Sequence, residues 1–288
     1  MSTETSGSFS GVLGRNIFWR SWVPDSAPAR AIIILVHGLG EHSGRYDHVV
    51  ERLVGEGYAV HTVDHRGHGR SDGPRAFIED MDNVVADVDT LVDMAVAAEP
   101  GVPVFMLGHS MGGLIGLRYA LLRQDRLAGL ILSAALAQLD AVPRPLELVG
   151  RALSVIAPRA PLIAIDPMLV SRDPAVVEAY RSDPLVHHGK VPARTAVQLA
   201  DTVKRFPSTV SAITVPTLIL YGTADGLATP AGSVMLAERI GTADLTAKAY
   251  DGLFHEILNE PERETVLGDI VSWLGARVGT PAAADAAG

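Results

Sequence analysis

Short aliphatic runs alternate along the chain with longer segments in which apolar residues recur at helical spacing. The aliphatic runs are typical of strands buried on both faces of a sheet. We predict helices from Val84 to near Pro100, from a glycine-rich turn to Arg123, and from Pro261 to Trp273. Strands that alternate with helices predict an α/β fold whose mostly parallel sheet carries helices on both faces. We predict strands at 31–36, 58–63, 103–107, 129–132, 217–221 and, with weaker alternation, 245–250.

The segment 138–205 breaks this alternation. Between residues 139 and 192 it holds eight of the chain's 18 prolines and shows no strand pattern. Because strands are predicted on both sides of it, we interpret 138–205 as a cap inserted into a core of 9–137 and 206–278. We predict that the cap consists of helices broken by proline. Its apolar residues recur at Leu146, Val149, Leu153 and Ile156.

Both termini differ from the rest of the chain in composition. Residues 1–8 are rich in serine and threonine, and residues 279–288 read GTPAAADAAG, so we predict unstructured tails. The start of the chain lacks the basic and apolar regions of a signal peptide. The aliphatic run 31–36 is far shorter than the about 20 residues that span a bilayer. We therefore expect a soluble, cytoplasmic protein.

Composition excludes several kinds of function. The 288 residues include no cysteine, which rules out disulfides, thiolate metal sites and a cysteine nucleophile. The formal net charge is −9, with 33 acidic and 24 basic side chains. Nucleic-acid binding is not expected from this balance, because phosphate contacts need a basic face.

A serine motif lies between a predicted strand and a predicted helix. Gly108-His109-Ser110-Met111-Gly112 has the form G-x-S-x-G. A strand that turns abruptly into a helix places such a serine on a tight corner, and the glycines allow neighbouring segments to approach. The helix N-terminus offers backbone N–H groups to an oxyanion. We therefore predict Ser110 as the nucleophile.

A second G-x-S-x-G match provides a comparison. Gly69-Arg70-Ser71-Asp72-Gly73 is separated from the preceding strand by several residues and is followed by Pro74. Charged residues flank its serine on both sides. Because it lacks the strand–turn–helix context, we interpret Ser71 as a loop residue.

A serine nucleophile needs a base and a carboxylate that orients the base. In α/β hydrolases these follow in the order Ser, Asp or Glu, His. After Ser110 the histidines are His187 and His188, both in the insertion, and His255, which follows the last predicted strand. Asp225 follows the strand 217–221. Both loops reach the carboxyl edge of the sheet, so we predict His255 as the base and Asp225 as its partner.

The oxyanion of an acyl-transfer reaction needs N–H donors. We predict the backbone N–H of Leu39, in the glycine-rich loop after the first buried strand, and that of Met111, after the nucleophile. The same region raises the alternative of a metal site, because histidines cluster around Asp64. We expect no metal, since serine chemistry does not require one. These histidines are His37, His42, His65 and His68.

Five segments carry a family resemblance. In order and spacing, from about residue 15 to 275, they resemble the serine hydrolases of the α/β-hydrolase fold. HGLGEHSGRY and DHRGHGRSDG look most like the monoacylglycerol lipase branch, and SDPLVHHGKVPA (182–193) is similar to its mycobacterial members. The five segments are HGLGEH (37–42), DHRGHGRSDG (64–73), GHSMGG (108–113), GTAD (222–225) and GLFHE (252–256).

The resemblance implies specific roles. It implies a triad of Ser110, Asp225 and His255, oxyanion donors at Leu39 and Met111, and a cap that forms an apolar channel for one acyl chain. It also implies that Glu41 and Arg45 lie near the glycerol head group. The alternative for these last two is a local ion pair that shapes the oxyanion loop.

The predicted function is hydrolysis of monoacylglycerol to glycerol and fatty acid through an acyl-enzyme, without a metal or cofactor. The alternative is a lysophospholipase or general carboxylesterase with the same triad. We also expect transient contact of the cap with a membrane or lipid droplet, and we make no prediction of oligomeric state. A non-catalytic binding protein is disfavoured by the intact triad, and an epoxide or haloalkane hydrolase would need an aspartate in place of Ser110.

Overall fold

The computed structural model of the protein describes residues 2–25, 28–139 and 143–278. Its main sheet has eight strands in the order β1-β2-β4-β3-β5-β6-β9-β10. Strand β2 runs antiparallel to both of its neighbours, and from β4 to β10 all neighbouring strands are parallel. The strands are β1 (Ser2–Ser10), β2 (Asn16–Pro24), β3 (Ile32–Val36), β4 (Ala59–Val63), β5 (Val104–His109), β6 (Gly129–Ser133), β7 (Pro161–Ile163), β8 (Val191–Pro192), β9 (Thr217–Gly222) and β10 (Leu245–Tyr250).

Helices cover both faces of this sheet. Alternate residues of β3 belong to two different hydrophobic clusters, one shared with α2, α3 and α8 and the other shared with α1 and α9. This explains why β3 consists entirely of aliphatic residues. The helices are α1 (Asp47–Gly55), α2 (Met81–Ala98), α3 (Met111–Arg123), α4 (Arg144–Ile156), α5 (Pro174–Ser182), α6 (Ala193–Val203), α7 (Phe206–Thr209), α8 (Pro230–Arg239) and α9 (Arg263–Gly275).

The strand register places the functional loops at one edge. Val36, the last residue of β3, pairs with Gly108 of β5, so the loop 37–42 and the turn at Ser110 leave the sheet side by side. Strand β9 ends at Gly222, three residues before Asp225. The predicted α/β fold with a mostly parallel sheet is confirmed. The closing helix begins at Arg263, two residues later than predicted.

The N-terminal prediction was wrong. Residues 2–8, expected to belong to an unstructured tail, form most of β1, which pairs with β2 along its whole length. Neither strand was predicted from the sequence. Strand β1 is an edge strand and most of its described side chains are exposed, so an almost wholly polar sequence is tolerated there. The other predicted tail, 279–288, lies outside the described residues.

Helices α4, α5 and α6 lie between β6 and β9 in the chain, as the insertion predicts. The expectation that this segment contains no strand was wrong, because β7 and β8 form a small antiparallel sheet. Helix α4 carries the predicted apolar repeat, but Leu146, Val149 and Ile156 are exposed. Within the described residues, no helix is both long and apolar enough to cross a membrane.

Candidate active site

Ser110 occupies a strained turn between β5 and α3. Its backbone has φ 54° and ψ −116°, and side chains other than glycine rarely adopt a positive φ. The turn is held by backbone hydrogen bonds: Ser110 N donates to Ser133 O at 3.0 Å, and Leu136 N donates to Ser110 O at 3.0 Å. Strain of this kind persists only where the surrounding structure enforces it, and it concentrates at functional sites.

Two glycines allow this turn to pack. A Cβ added to Gly112 would lie 1.9 Å from the carbonyl oxygen of Val36 on the neighbouring strand. A Cβ added to Gly108 would lie 2.3 Å from the carbonyl oxygen of Gly112. Both contacts are with backbone, which cannot move aside cheaply. The glycines that flank Ser110 in the sequence motif are therefore required for the close approach that fixes the turn.

Asp225 and His255 form a buried hydrogen-bonded pair. The Nδ1 of His255 lies 2.8 Å from Oδ2 of Asp225. The other carboxylate oxygen, Oδ1, accepts hydrogen bonds from the backbone N–H groups of Leu227 at 2.8 Å and Ala228 at 2.9 Å. The carboxylate is thus oriented by its own loop before it contacts the imidazole. The two residues are 30 positions apart in the sequence, and the fold brings them into contact.

The charge of Asp225 determines the protonation of His255. Burial alone would lower the pKa of His255, but the charge and hydrogen bond of Asp225 outweigh it, and the pKa is raised above its ordinary value of 6.5. Asp225 therefore favours the imidazolium, which is the form that a general base adopts after it accepts a proton.

One cavity of about 190 Å³ joins the predicted residues. Ser110, His255, Leu39 and Met111 all line it, and Glu41 borders it as well. Much of the remaining lining is aliphatic and comes from the cap as well as from the core. These aliphatic side chains include Leu136, Leu139, Ile163, Val191, Leu199 and Leu227.

The loop 37–42 presents one N–H group to the cavity and uses another internally. Gly38 N donates to Oε1 of Glu41 at 2.6 Å, so it is occupied. In the part of the chain that the structure describes, the N–H groups of Leu39 and Met111 have no protein acceptor. The geometry therefore leaves free the two donors that the sequence predicts for an oxyanion.

Glu41 and Arg45 belong to a buried network. Arg45 donates to Oε2 of Glu41 at 2.8 Å and holds Glu256 with both ends of its guanidinium, at 2.5 and 2.7 Å. The hydroxyl of Tyr46 donates to Glu41 at 2.6 Å. Burial would lower the pKa of Arg45, but the two carboxylates raise it well above its usual value. The network connects the loop 37–42 with the loop that carries His255. The predicted contact of Glu41 and Arg45 with a head group stays a prediction.

Sequence reasoning missed several residues of the cavity. Glu256 and Tyr180 line it, and His109 lies with its ring centroid 4.8 Å from that of His255. Burial lowers the pKa of His109 to about 3, so the ring is neutral. The signals were weak: Glu256 directly follows His255, and His109 lies inside the serine motif. Nothing in the sequence connects Tyr180 of α5 to the site.

The other candidates lie elsewhere. Ser71 is buried outside the cavity, where its hydroxyl donates to Asp64 O at 2.5 Å and accepts from Phe18 N at 2.8 Å. Both ring nitrogens of His37 contact the backbone. Its Nδ1 lies 2.7 Å from Gly38 O, and its Nε2 accepts a hydrogen bond from His65 N at 2.9 Å. No group of three or more potential ligands suited to a metal ion occurs among the described residues.

Comparison with known proteins identifies the family. The family model described as serine aminopeptidase, S33, matches residues 27–262. The chain belongs to this hydrolase family. It is 42% identical over 274 residues to a monoacylglycerol lipase of Mycolicibacterium smegmatis, covering 95% of this chain and 98% of the relative. It is 36% identical over 271 residues to the human monoglyceride lipase, covering 93% of this chain and 89% of the relative.

A solved structure agrees with this assignment. The crystal structure of the monoacylglycerol lipase of Paleococcus ferrophilus superposes with a TM-score of 0.80 at 31% identity. The superposition covers 96% of this chain and 99% of that one. The resemblance to the monoacylglycerol lipase branch is therefore confirmed, and the α/β-hydrolase fold of this family member is shown by sequence and structure together.

Proposed function

We propose that this hydrolase cleaves monoacylglycerol to glycerol and a free fatty acid. The observation that carries the proposal is His255, which is oriented by Asp225 and lines the same aliphatic cavity as Ser110 on its strained turn. Aliphatic walls suit an acyl chain, and the polar groups are concentrated beside the serine. The named activity of the relatives at 42% and 36% identity supports this choice of substrate.

The proposed reaction has two halves. Ser110 Oγ attacks the ester carbonyl while His255 Nε2 accepts the serine proton, and the N–H groups of Leu39 and Met111 stabilise the oxyanion. Collapse of the tetrahedral intermediate breaks the ester bond, and glycerol leaves with the proton from His255. Water then attacks the acyl-enzyme, His255 accepts its proton and returns it to Ser110 Oγ, and the fatty acid departs.

Asp225 supports both halves without changing its own protonation. Its Oδ2 holds Nδ1 of His255, which favours the tautomer whose Nε2 is free to accept the serine proton. Its negative charge also stabilises the imidazolium that forms in each half. The raised pKa of His255 expresses this stabilisation.

We also propose that the enzyme acts while its cap contacts a lipid surface. Helix α4 and its surroundings expose Leu146, Leu148, Val155 and Ile156, whereas soluble proteins rarely leave such side chains together in water. Ile163 and Met168 on the same insertion are exposed as well, and Ile163 also lines the cavity. A substrate that dissolves in membranes or droplets would reach the cavity from this side, so we propose peripheral association.

Fatty-acid release from monooleoylglycerol and from trioleoylglycerol tests the substrate assignment. We expect fast release from the mono-ester alone, because the cavity beside Ser110 is narrow and aliphatic and the tri-ester carries two further chains. Ser110→Ala should fold normally and lose nearly all turnover, at least about 10³-fold in kcat. If fatty acid is released from neither lipid but small soluble esters are hydrolysed, the lipid substrate is rejected and the serine esterase mechanism stands. Turnover retained by Ser110→Ala would reject the proposed nucleophile.

A further inference from the structure

Two carboxylates border the cavity beside Ser110. Glu41 and Glu256 both line it, and no described lining residue is a lysine or arginine. Residues 140–142, which follow the lining residue Leu139, contain no basic residue in the sequence. The polar end of the cavity therefore offers negative charge to a head group and no free positive charge.

The guanidinium of Arg45, which lies between these two carboxylates, is already engaged in hydrogen bonds to them. Arg45 makes three hydrogen bonds to Glu41 and Glu256, and its guanidinium lies 4.9 Å from the ring centre of Tyr180. Its side chain is only 9% exposed, and it does not line the cavity. Two carboxylates around one guanidinium leave a net charge of −1 on the cavity wall. Arg45 cannot turn to an anionic ligand without leaving a buried carboxylate unpaired, which is costly.

The histidines of the cavity do not supply a lasting positive charge. His109 is neutral, because burial and the proximity of His255 lower its pKa to about 3. His255 becomes charged when it accepts the serine proton, and Asp225, 2.8 Å away, already balances that charge. Among the charged groups that line the cavity, an anionic head group would therefore meet buried carboxylates of like charge.

We propose that Glu41 and Glu256 select the head group by charge, so that the enzyme hydrolyses single-chain esters of neutral or cationic alcohols and rejects those whose head group is a phosphate monoester. A phosphate monoester carries a charge of about −2 near neutral pH. Juxtaposed like charges are strongly unfavourable at an interface, whereas a glycerol head group has no charge and offers hydroxyls that can donate to carboxylates. The inference rests on the proposed ester hydrolysis and narrows its substrate class.

Four oleoyl esters, presented in the same neutral detergent micelles, test the selection. They are monooleoylglycerol, oleoyl lysophosphatidic acid, oleoylcholine and monooleoyl diglycerol. We expect kcat/KM for the lysophosphatidic acid to be at least about 100-fold below that for monooleoylglycerol. The cationic choline ester should stay within about tenfold. The diglycerol head group is neutral but larger than glycerol. If kcat/KM for this ester is within about tenfold of that for monooleoylglycerol, head-group size does not explain the rejection of lysophosphatidic acid.

Two Glu→Gln variants connect the selection to the cavity wall. In Glu256→Gln the wall loses its net negative charge, and we expect the ratio of kcat/KM for lysophosphatidic acid to that for monooleoylglycerol to rise at least about tenfold. Glu264→Gln is the matched control, because it removes the same charge from an exposed position on α9. Its ratio should equal that of the wild type, which shows that overall net charge is not responsible.

Each outcome distinguishes this inference from the proposed function. Hydrolysis of lysophosphatidic acid within about tenfold of monooleoylglycerol overturns the charge selection and leaves the monoacylglycerol activity standing. If kcat/KM for the diglycerol ester is as low as that for lysophosphatidic acid, the selection is by head-group size and the charge selection is rejected. If none of the four esters is hydrolysed, the proposed function itself is rejected. If Glu256→Gln does not fold, the comparison of the four esters on the wild type still decides.

Discussion

At Ser110 the chain accepts a backbone conformation that costs about 1–3 kcal/mol and holds it with neighbouring backbone hydrogen bonds. The result is a side chain that faces the cavity from a rigid corner rather than from a mobile loop. The same rigidity extends to Asp225, whose Oδ1 is fixed by two N–H groups of its own loop. Both residues are positioned before a substrate arrives, which limits the reorganisation needed during reaction.

Replacement of Asp225 by asparagine should alter the pH dependence as well as the rate. In the wild type the pKa of His255 is raised, so kcat/KM for a soluble ester should rise with pH through an apparent pKa above 6.5 as the imidazole becomes neutral. Without the aspartate charge, burial still lowers the pKa of His255 while its largest upward contribution is lost, so the profile should shift to lower pH than that of the wild type. The maximum should fall by about 10³–10⁴-fold, because the asparagine amide favours the wrong tautomer.

The measurement is kcat/KM between pH 5 and 9 on a short soluble ester, with the wild type in parallel. Glu264→Gln is a suitable control for the loss of one charge far from the cavity. A profile for Asp225→Asn that coincides with that of the wild type would show that another group orients or charges the base.

At the scale of single residues, the sequence supports a prediction where a residue lies in a short motif or follows from chain order. Ser110 lies in a strand–turn–helix motif, and only one histidine after it lies at the carboxyl edge of the sheet. Glu256 could not be assigned this way. Its partner Arg45 is 211 positions away, and their pairing exists only after the loops after β3 and β10 have met.

At the scale of elements, the strands β3, β4, β5, β6, β9 and β10 were predicted, whereas β1, β2 and the two short strands β7 and β8 were not. Strand β3 lies between two helical layers, so its residues are uniformly aliphatic. Strand β1 pairs with one neighbour only, and its serine- and threonine-rich sequence resembles a polar tail. Strands β7 and β8 have three and two residues, too few for a periodic pattern to identify.

Ser71 connects two elements, and its replacement by alanine should affect stability rather than catalysis. Its hydroxyl bridges the loop after β4, at Asp64 O, and the strand β2, at Phe18 N. The loss of both hydrogen bonds leaves two backbone groups without that partner, which should lower the free energy of unfolding by about 1–3 kcal/mol. We expect kcat/KM to stay within about twofold of the wild type, since Ser71 does not line the cavity.

Urea unfolding and ester hydrolysis measured on the same preparation check this prediction. Ser110→Ala provides the opposite pattern, with near-normal stability and almost no turnover. An inactive but fully stable Ser71→Ala would mean that the second G-x-S-x-G motif contributes to the chemistry.

At the scale of the whole molecule, part of the cap is fixed to the catalytic loops. His187 N donates to Gly40 O at 2.7 Å, and His42 Nε2 lies 2.8 Å from Oδ2 of Asp183, so the cap contacts the loop 37–42. Glu256 N donates to Val170 O at 2.7 Å, so the cap also contacts the loop of His255. The apolar surface of α4 lies outside these contacts. The sequence identified its residues as a helical stripe but could not tell whether the stripe faces the core or solvent.

Removal of apolar surface from α4 should therefore weaken activity on lipid aggregates and spare activity on soluble esters. The double variant Val155→Ser/Ile156→Ser acts on side chains that are 75% and 82% exposed. Transfer of each side chain from water to lipid is worth about 1.5–3 kcal/mol, so kcat/KM for monooleoylglycerol in neutral vesicles should fall about tenfold or more. Leu13→Ser is the control, because Leu13 is 73% exposed but lies outside the cap. Equal losses on vesicles and on a soluble ester would indicate damage to the cavity, and an unchanged rate on vesicles would reject the cap as the lipid-contacting surface.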